Sequence, residues 1–300
     1  MLSLWLGALD QGLAYAGLAL GTYLTLRVLN FADLTVDGSF ALGGGLAAVL
    51  ISGGTPIPLA LLAAVAAGGL AGLVTGLIHT RLGVNDLFAG ILTTTGLYSI
   101  TLRLMGRSNI PLTDTAAVLG RIPDLLPGSD DQWGIVLVMS ALGLVGLLAA
   151  LLATDLGLSL RAIGNNPVMA RANAINQGLG LTLGIAAGNG LVALAGATVA
   201  LYNGFADIAM GIGSLILGLG MVIIGESVIR PKSVPMALVA VLVGAILFRL
   251  LIAIALQVGL EPQDLKLVTA VLLLVALSLG HLRLPGLTAP AGDATDKETP

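Results

Sequence analysis

Residues 178–201 read GLGLTLGIAAGNGLVALAGATVAL, a run with no charged side chain and a single amide, Asn189. A hydrocarbon core about 30 Å thick takes about 20 apolar residues of helix, so this run is long enough to cross a membrane. It lacks the strict alternation of a transmembrane barrel strand. Reading outward gives eight more stretches of the same kind, at 3–28, 38–52, 57–79, 87–105, 132–153, 210–229, 235–256 and 264–282. The stretch 38–52 is short and broken by Gly38, Gly43, Gly44 and Gly45, and 210–229 is interrupted by Gly211, Gly213, Gly218 and Gly220. The expected fold is an all-α, polytopic transmembrane helical bundle of about eight to ten spans with discontinuous helices.

The whole composition agrees. Of 300 residues, 57% are hydrophobic and 10% charged, against about a quarter charged in a soluble domain. Mean hydropathy is +1.03. The absence of cysteine excludes a disulfide scaffold, and a net charge of −3 leaves no basic footprint for nucleic acid. Ala14-Tyr15-Ala16 has the form of an export cleavage site, but the first cation is Arg27, so the first stretch is expected to stay as a span. Residues 1–284 then form one transmembrane domain with a loop at 154–177, and the polar tail 285–300 is expected to be disordered.

Glycines fall at helical spacing: Gly68, Gly72 and Gly76; Gly180, Gly184 and Gly188; Gly17 and Gly21. Such stripes let backbones approach closely, either inside one subunit or between subunits. Arg81, the pair Arg161 and Arg171, the pair Arg230 and Lys232, and Arg283 follow alternate spans. With all of them in the cytoplasm, the N-terminus lies outside, the C-terminus inside, and the acidic segment 106–131 faces outward. Arg103 and Arg249 are expected at span ends or snorkelling.

Enzyme chemistry has no foothold. The only histidines, His79 and His281, sit near span ends, which suits interfacial anchoring. Without cysteine or an H-E-x-x-H run there is no zinc ligand set, so no catalytic or metal residue is assigned. None of Lys232, Lys266 and Lys297 follows a phosphate-cradling loop, so any ATP must be bound by another chain.

Polar residues at membrane depth normally face a bundle interior or a cavity. Asn30, Asp33 and Asp37 lie between the first two spans, and Asn189 sits in the middle of the sixth. Asp33 and Asp37 are four apart and would share a helix face, where they repel unless a helix N-terminus offsets the charge. They either cap a half-helix or line a pathway; Asn189 either bonds a neighbouring helix or meets a solute. Glu226 and Arg230 are also four apart and suit a local ion pair.

The loop 154–177 is too long for a tight turn and too apolar for a solvated linker. Asn165 or Asn166 can cap a helix opening at Pro167. From there to about Ile175, Val168, Met169, Ala172 and Ile175 form one apolar stripe, which must dock on the bundle or on a partner.

The run Arg161-Ala162-Ile163-Gly164-Asn165-Asn166-Pro167-Val168-Met169-Ala170-Arg171-Ala172 resembles the coupling segment of permease subunits in the branched-chain amino acid and ribose family of ABC importers. Ala174-Ile175 stands where that family has Gly-Ile. Leu29-Asn30-Phe31-Ala32 is similar to its Asn-Phe-Ala motif, with Asp33 beginning a different continuation. The Asp33-to-Gly38 variant is most similar to a subgroup described as uncharacterised or as tryptophan- and tyrosine-type uptake permeases. The resemblance implies a bacterial inner-membrane importer subunit for a small molecule, an amino acid before others. It implies a second permease (a homodimer being the simpler case), two ABC ATPase subunits and an extracytoplasmic solute-binding protein. The chain itself then carries no cofactor, ATP and Mg belonging to the ATPase. Coupling would fall to Arg161, Gly164, Asn165, Pro167, Val168, Met169, Arg171 and Ala172; Asn30, Asp33, Asp37 and Asn189 would serve the pathway. The competing reading is an ion-coupled secondary transporter or channel using Asp33 and Asp37.

Overall fold

The computed structural model describes residues 2–112, 132–259, 261 and 264–282. The segment from Thr113 to Asp131, the tail from Pro285, Arg283 and the side chain of His281 lie outside the described residues. In chain order the helices are α1 (Leu2–Ala14), α2 (Ala16–Thr22), a π-helical turn (Tyr23–Val28), α3 (Thr35–Ser52), α4 (Ile57–Leu82), α5 (Asp86–Met105), α6 (Gln132–Ala153), α7 (Asp155–Asn165), α8 (Pro167–Ala172), α9 (Gln177–Asn203), a 3-10 turn (Ile208–Gly211), α10 (Ser214–Ile229), α11 (Val234–Gln257) and α12 (Leu265–Leu282). A two-stranded antiparallel ribbon pairs β1 (Asn109–Pro111) with β2 (Phe205–Asp207). Among the described residues, seven helices are long and apolar enough to cross a membrane.

Local chemistry sets the boundaries. Asn85 accepts the Leu87 amide at 3.0 Å to start α5, and Asn176 accepts the Leu179 amide at 3.1 Å to start α9. Helices α4, α5 and α9 stop at Gly83, Gly106 and Gly204, all left-handed.

α9 is the axis of the bundle, and the glycine stripes explain why. On one side, a Cβ on Gly72 or Gly76 of α4 would lie 2.6 Å from Ile185 O or 2.7 Å from Thr182 Cα. On another, a Cβ on Gly17 or Gly21 of α2 would lie 2.8 Å from Leu191 O or 2.5 Å from Gly188 O. Gly184 receives the side chain of Leu29. These stripes are spent on packing inside the chain, where close backbone approach yields dispersion contacts that lipid cannot match.

Several expectations are corrected. The stretch 38–52 is an unbroken helix that includes Gly38, Gly43, Gly44 and Gly45, because these glycines meet Leu97, Ala193, Met210 and Met105 and leave no room for a side chain. The break falls instead in the first stretch, at Tyr15 and again in the π turn. In the seventh, Gly211 and Gly213 mark the interruption while Gly218 and Gly220 are helical. Arg249 lies well inside α11, its guanidinium carbon 3.7 Å from the centre of the Tyr15 ring. It thus packs on the break between α1 and α2 rather than snorkelling. Glu226 pairs with Arg27 of the π turn and not with Arg230, whose left-handed backbone (φ 50°) ends α10.

Candidate functional site

Two regions gather the residues singled out above. The first is a buried polar knot at the start of α3. Asn30 adopts φ 52°, a conformation asparagine tolerates better than most residues, and the turn carries the Phe31 amide back to Thr25 O at 2.9 Å. Asn30 itself is exposed. Asp33 lies ahead of α3, not on it, and its Oδ1 accepts the Thr35 amide at 2.9 Å. Its Oδ2 accepts from Asn189 Nδ2 at 2.5 Å, whose other hydrogen goes to Ile185 O at 3.0 Å. Ser39 Oγ donates to Asn189 Oδ1 at 2.6 Å. Asn189 therefore uses its whole amide to tie α3 and the Asp33 turn to α9.

Asp37 is in the first turn of α3 and reaches a different helix. It accepts from Gly213 N at 3.0 Å, Ser214 Oγ at 2.9 Å and Leu215 N at 2.9 Å, capping α10. The two carboxylates thus point to separate helix N-termini, and their expected shared face does not form. One negative charge at each positive helix end is the favourable arrangement. Beside the knot, the hydroxyls of Thr35 and Thr75 lie 2.7 Å apart and those of Thr75 and Thr93 2.9 Å, while Thr94 Oγ1 donates to Leu34 O at 2.7 Å. Asp33, Thr35, Ser39, Thr75 and Asn189 are all fully buried.

The second region is the pair of short helices at the end of the bundle that carries Arg81, Arg161, Arg171 and Arg230. Thr154 caps α7, accepting the Gly157 amide at 3.3 Å. α7 buries Gly157, Leu160 and Ile163, with Ile163 against Gly180 and Leu160 against Gly184 of α9. Gly164 abuts the carbonyl of Val28 and admits no side chain. Asn166, at the junction, caps α8 by accepting the Met169 amide at 3.0 Å, and Pro167 opens the helix as expected. α8 ends at Ala172, shorter than the expected run to Ile175, because Asn173 and the left-handed Ala174 (φ 58°) turn the chain back. Arg161, Asn165, Pro167, Arg171 and Ala172 are exposed, and Val168 and Met169 are 69% and 58% exposed. Only Ala170 of α8 is buried. A groove of about 650 Å³ runs between α7 and α8, lined among others by Leu158, Ala162, Asn166, Met169 and Asn173.

Sequence reading missed α7 as a helix, although Thr154 ahead of Gly157, Leu160 and Gly164 at helical spacing marks it. It also missed Thr35, Ser39, Thr75, Thr93 and Ser214, which only tertiary pairing brings to Asp33 and Asp37. Among the described residues no cluster of three or more His, Asp or Glu stands where it could hold a metal ion.

Comparison with known proteins fits this architecture. Residues 5–278 match the family described as branched-chain amino acid transport system, permease component. A tyrosine transport system permease protein of Clostridioides difficile (strain R20291) is 35% identical over 280 residues, 93% of this chain and 92% of its own length. An uncharacterized protein of Rickettsia prowazekii (strain Madrid E) is 35% identical over 276 residues, 90% of this chain and 95% of its own. No solved structure matches. A bundle of apolar helices, a family match over most of its length and a relative that is itself a transport permease make this chain a multi-pass membrane protein of the branched-chain amino acid permease family, the permease component of a transport system and not an enzyme.

Proposed function

We propose that the chain is the transmembrane subunit of an ATP-driven importer, taking up a small molecule of the amino-acid class. It works with a second permease that is an identical copy, two ABC ATPases and an extracytoplasmic solute-binding protein, in the inner membrane of a bacterium. The N-terminus lies outside and the C-terminus in the cytoplasm. The single observation that carries this reading is the α7–α8 pair. Val168 and Met169 stand out beside a groove, and the same two helices carry the exposed Arg161 and Arg171. α7 is pinned to the bundle through Leu160, Ile163 and Gly164, so force applied to α8 is passed to α9 and to the end of the first span. A neighbouring ATPase would seat Val168 and Met169 and supply acidic partners for Arg171, and alternating access would follow from rigid-body motion of the bundle. The aromatic amino acid transported by the C. difficile relative makes a tyrosine-like solute the first to try.

The ion-coupled reading finds less support. Asp33 and Asp37 are both engaged as helix caps, so binding a cation there would compete with five hydrogen bonds. The test is Arg171→Glu with Val168→Asp as a second variant, each expressed with the neighbouring genes. We expect normal membrane abundance, loss of ATPase copurification and at least tenfold slower ATP-dependent uptake. Uptake unchanged in both variants overturns the docking role.

A further inference from the structure

Of the three least buried helices in this bundle, one is not strongly apolar. α3 and α9, with mean hydropathy 1.4 and 1.6, are each 67% buried. α4 and α6, only 28% and 22% buried, have mean hydropathy 2.2 and 2.7, as lipid-facing helices should. α5 has the lowest mean hydropathy of the seven, 1.2, yet is only 28% buried. The reason lies in Thr93-Thr94-Thr95. Thr93 faces Thr75 and Thr94 faces Leu34 O, but Thr95 points away from the bundle, its hydroxyl bonded back to Ile91 O at 2.8 Å. A turn further on, Ser99 is exposed and Tyr98 is 53% exposed, and among the described residues neither hydroxyl has a hydrogen-bond partner. Phe88, Leu92, Thr95, Ser99 and Arg103 recur at spacings of four, three, four and four, forming one outward stripe. The exposed faces of α4 and α11, by contrast, are built within the membrane of Leu62, Leu70, Val74, Val239 and Leu251.

The hydroxyls of Tyr98 and Ser99, at membrane depth and without a partner among the described residues, are costly in lipid and favour water or protein on that face. Resting on the importer reading, we propose that the Thr95–Ser99–Tyr98 face of α5 lines the solute pathway, which is closed on its far side by the same face of a second copy. Within one bundle the polar groups of the Asp33 knot are buried and satisfied, so no polar cleft is left there. The occupant that matches the stripe is the stripe itself. Across a two-fold axis the hydroxyls of one copy meet those of the other, each able to donate and accept. Gly96, with no atom within 4 Å of its would-be Cβ, leaves room for the approach. At the outer end the two Arg103 side chains would repel, which keeps that mouth wet. Uncharged hydroxyls suit a small zwitterion: they hydrogen-bond it without holding it as a fixed charge would.

The chain has no cysteine, so single cysteines report cleanly. T95C and S99C, with L70C on α4 and L142C on α6 as lipid-facing references, are placed in the full transporter in native membranes. They are treated with a charged, water-soluble methanethiosulfonate and, separately, with a short bis-maleimide. We expect T95C and S99C to react at least tenfold faster than either reference and to give a dimer of the chain, the references giving neither. Labelling no faster than at L70C, or a dimer formed through L70C or L142C but not through α5, overturns the proposal. ATPase copurification is scored on the same samples. If the ATPase is retained while α5 stays unreactive, the pathway assignment falls alone; if no ATPase partner is found, the importer reading falls.

Discussion

Asp37→Ala removes the one carboxylate that holds the start of α10. Three donors lose their acceptor: Gly213 N at 3.0 Å, Ser214 Oγ at 2.9 Å and Leu215 N at 2.9 Å. The hydroxyl can turn to another partner, but the two amides are fixed by the backbone. A lost N-cap costs about 0.5–2 kcal/mol, and each buried donor left unsatisfied about 1–3 kcal/mol. These overlap, since one carboxylate provides both, and about 2–4 kcal/mol is the expected total; at about 1.4 kcal/mol per decade that is about 30- to 700-fold in local opening. Asp37→Asn keeps one oxygen. With that oxygen in the Oδ1 position, Ser214 and Leu215 retain their bond, while the new amide faces the Gly213 N–H and that contact is lost. About 1–2 kcal/mol, or about 5- to 30-fold, is then expected. Amide hydrogen exchange of the purified protein, read on the peptide from Gly213 to Met221, measures this directly. Exchange there should accelerate in the order wild type, Asp37→Asn, Asp37→Ala, with amides of α9 unchanged because Asn189 and the glycine contacts do not involve Asp37. Exchange in Asp37→Ala within twofold of wild type would refute the cap.

Three further outcomes test other parts of the fold. Ala174→Gly should stabilise the chain by about 0.5–1 kcal/mol in a reversible unfolding titration, because alanine at φ 58° is strained where glycine is not; no gain would mean the strain is relieved locally. Gly72→Ala and Gly143→Ala should have opposite signs. The first drives a Cβ to 2.6 Å from Ile185 O and should cost at least about 2 kcal/mol, whereas the second meets no atom within 4 Å and should be neutral or gain up to about 1 kcal/mol in helix propensity, both read by the same titration. A double-mutant cycle on Arg27 and Glu226 should give a coupling below about 1 kcal/mol, since the two side chains are 52% and 22% exposed and solvent screens the pair; a coupling above about 2 kcal/mol would indicate a desolvated bridge.

What the sequence made legible follows the range of the forces involved. Helix existence depends on about twenty consecutive apolar residues, and each of the long apolar runs is helical over most of its length, the first and the seventh with interruptions at Tyr15 and at Gly211 and Gly213. Caps are equally local: Asn166 before Pro167 was readable because a cap and its amide are three residues apart. Breaks were not readable from glycine alone. Gly43 and Gly44 sit inside an unbroken helix because α9 and Met210 press against them, and lipid or protein on all sides leaves the backbone no better partner than its own ladder. The same physics decides the carboxylates. From the sequence, Asp33 and Asp37 were two like charges on one helix, and either capping or a pathway could explain them. Asp33 caps its own α3 locally through the Thr35 amide, but its tie to Asn189 and the reach of Asp37 to Ser214 span 156 and 177 residues, and no spacing rule covers that distance. The polarity of α5 was visible throughout as Thr93-Thr94-Thr95 and Ser99, but its meaning needed the fold. A polar helix is ordinary in the middle of a bundle, and only its position on the outside turns the same residues into a surface that has to be covered.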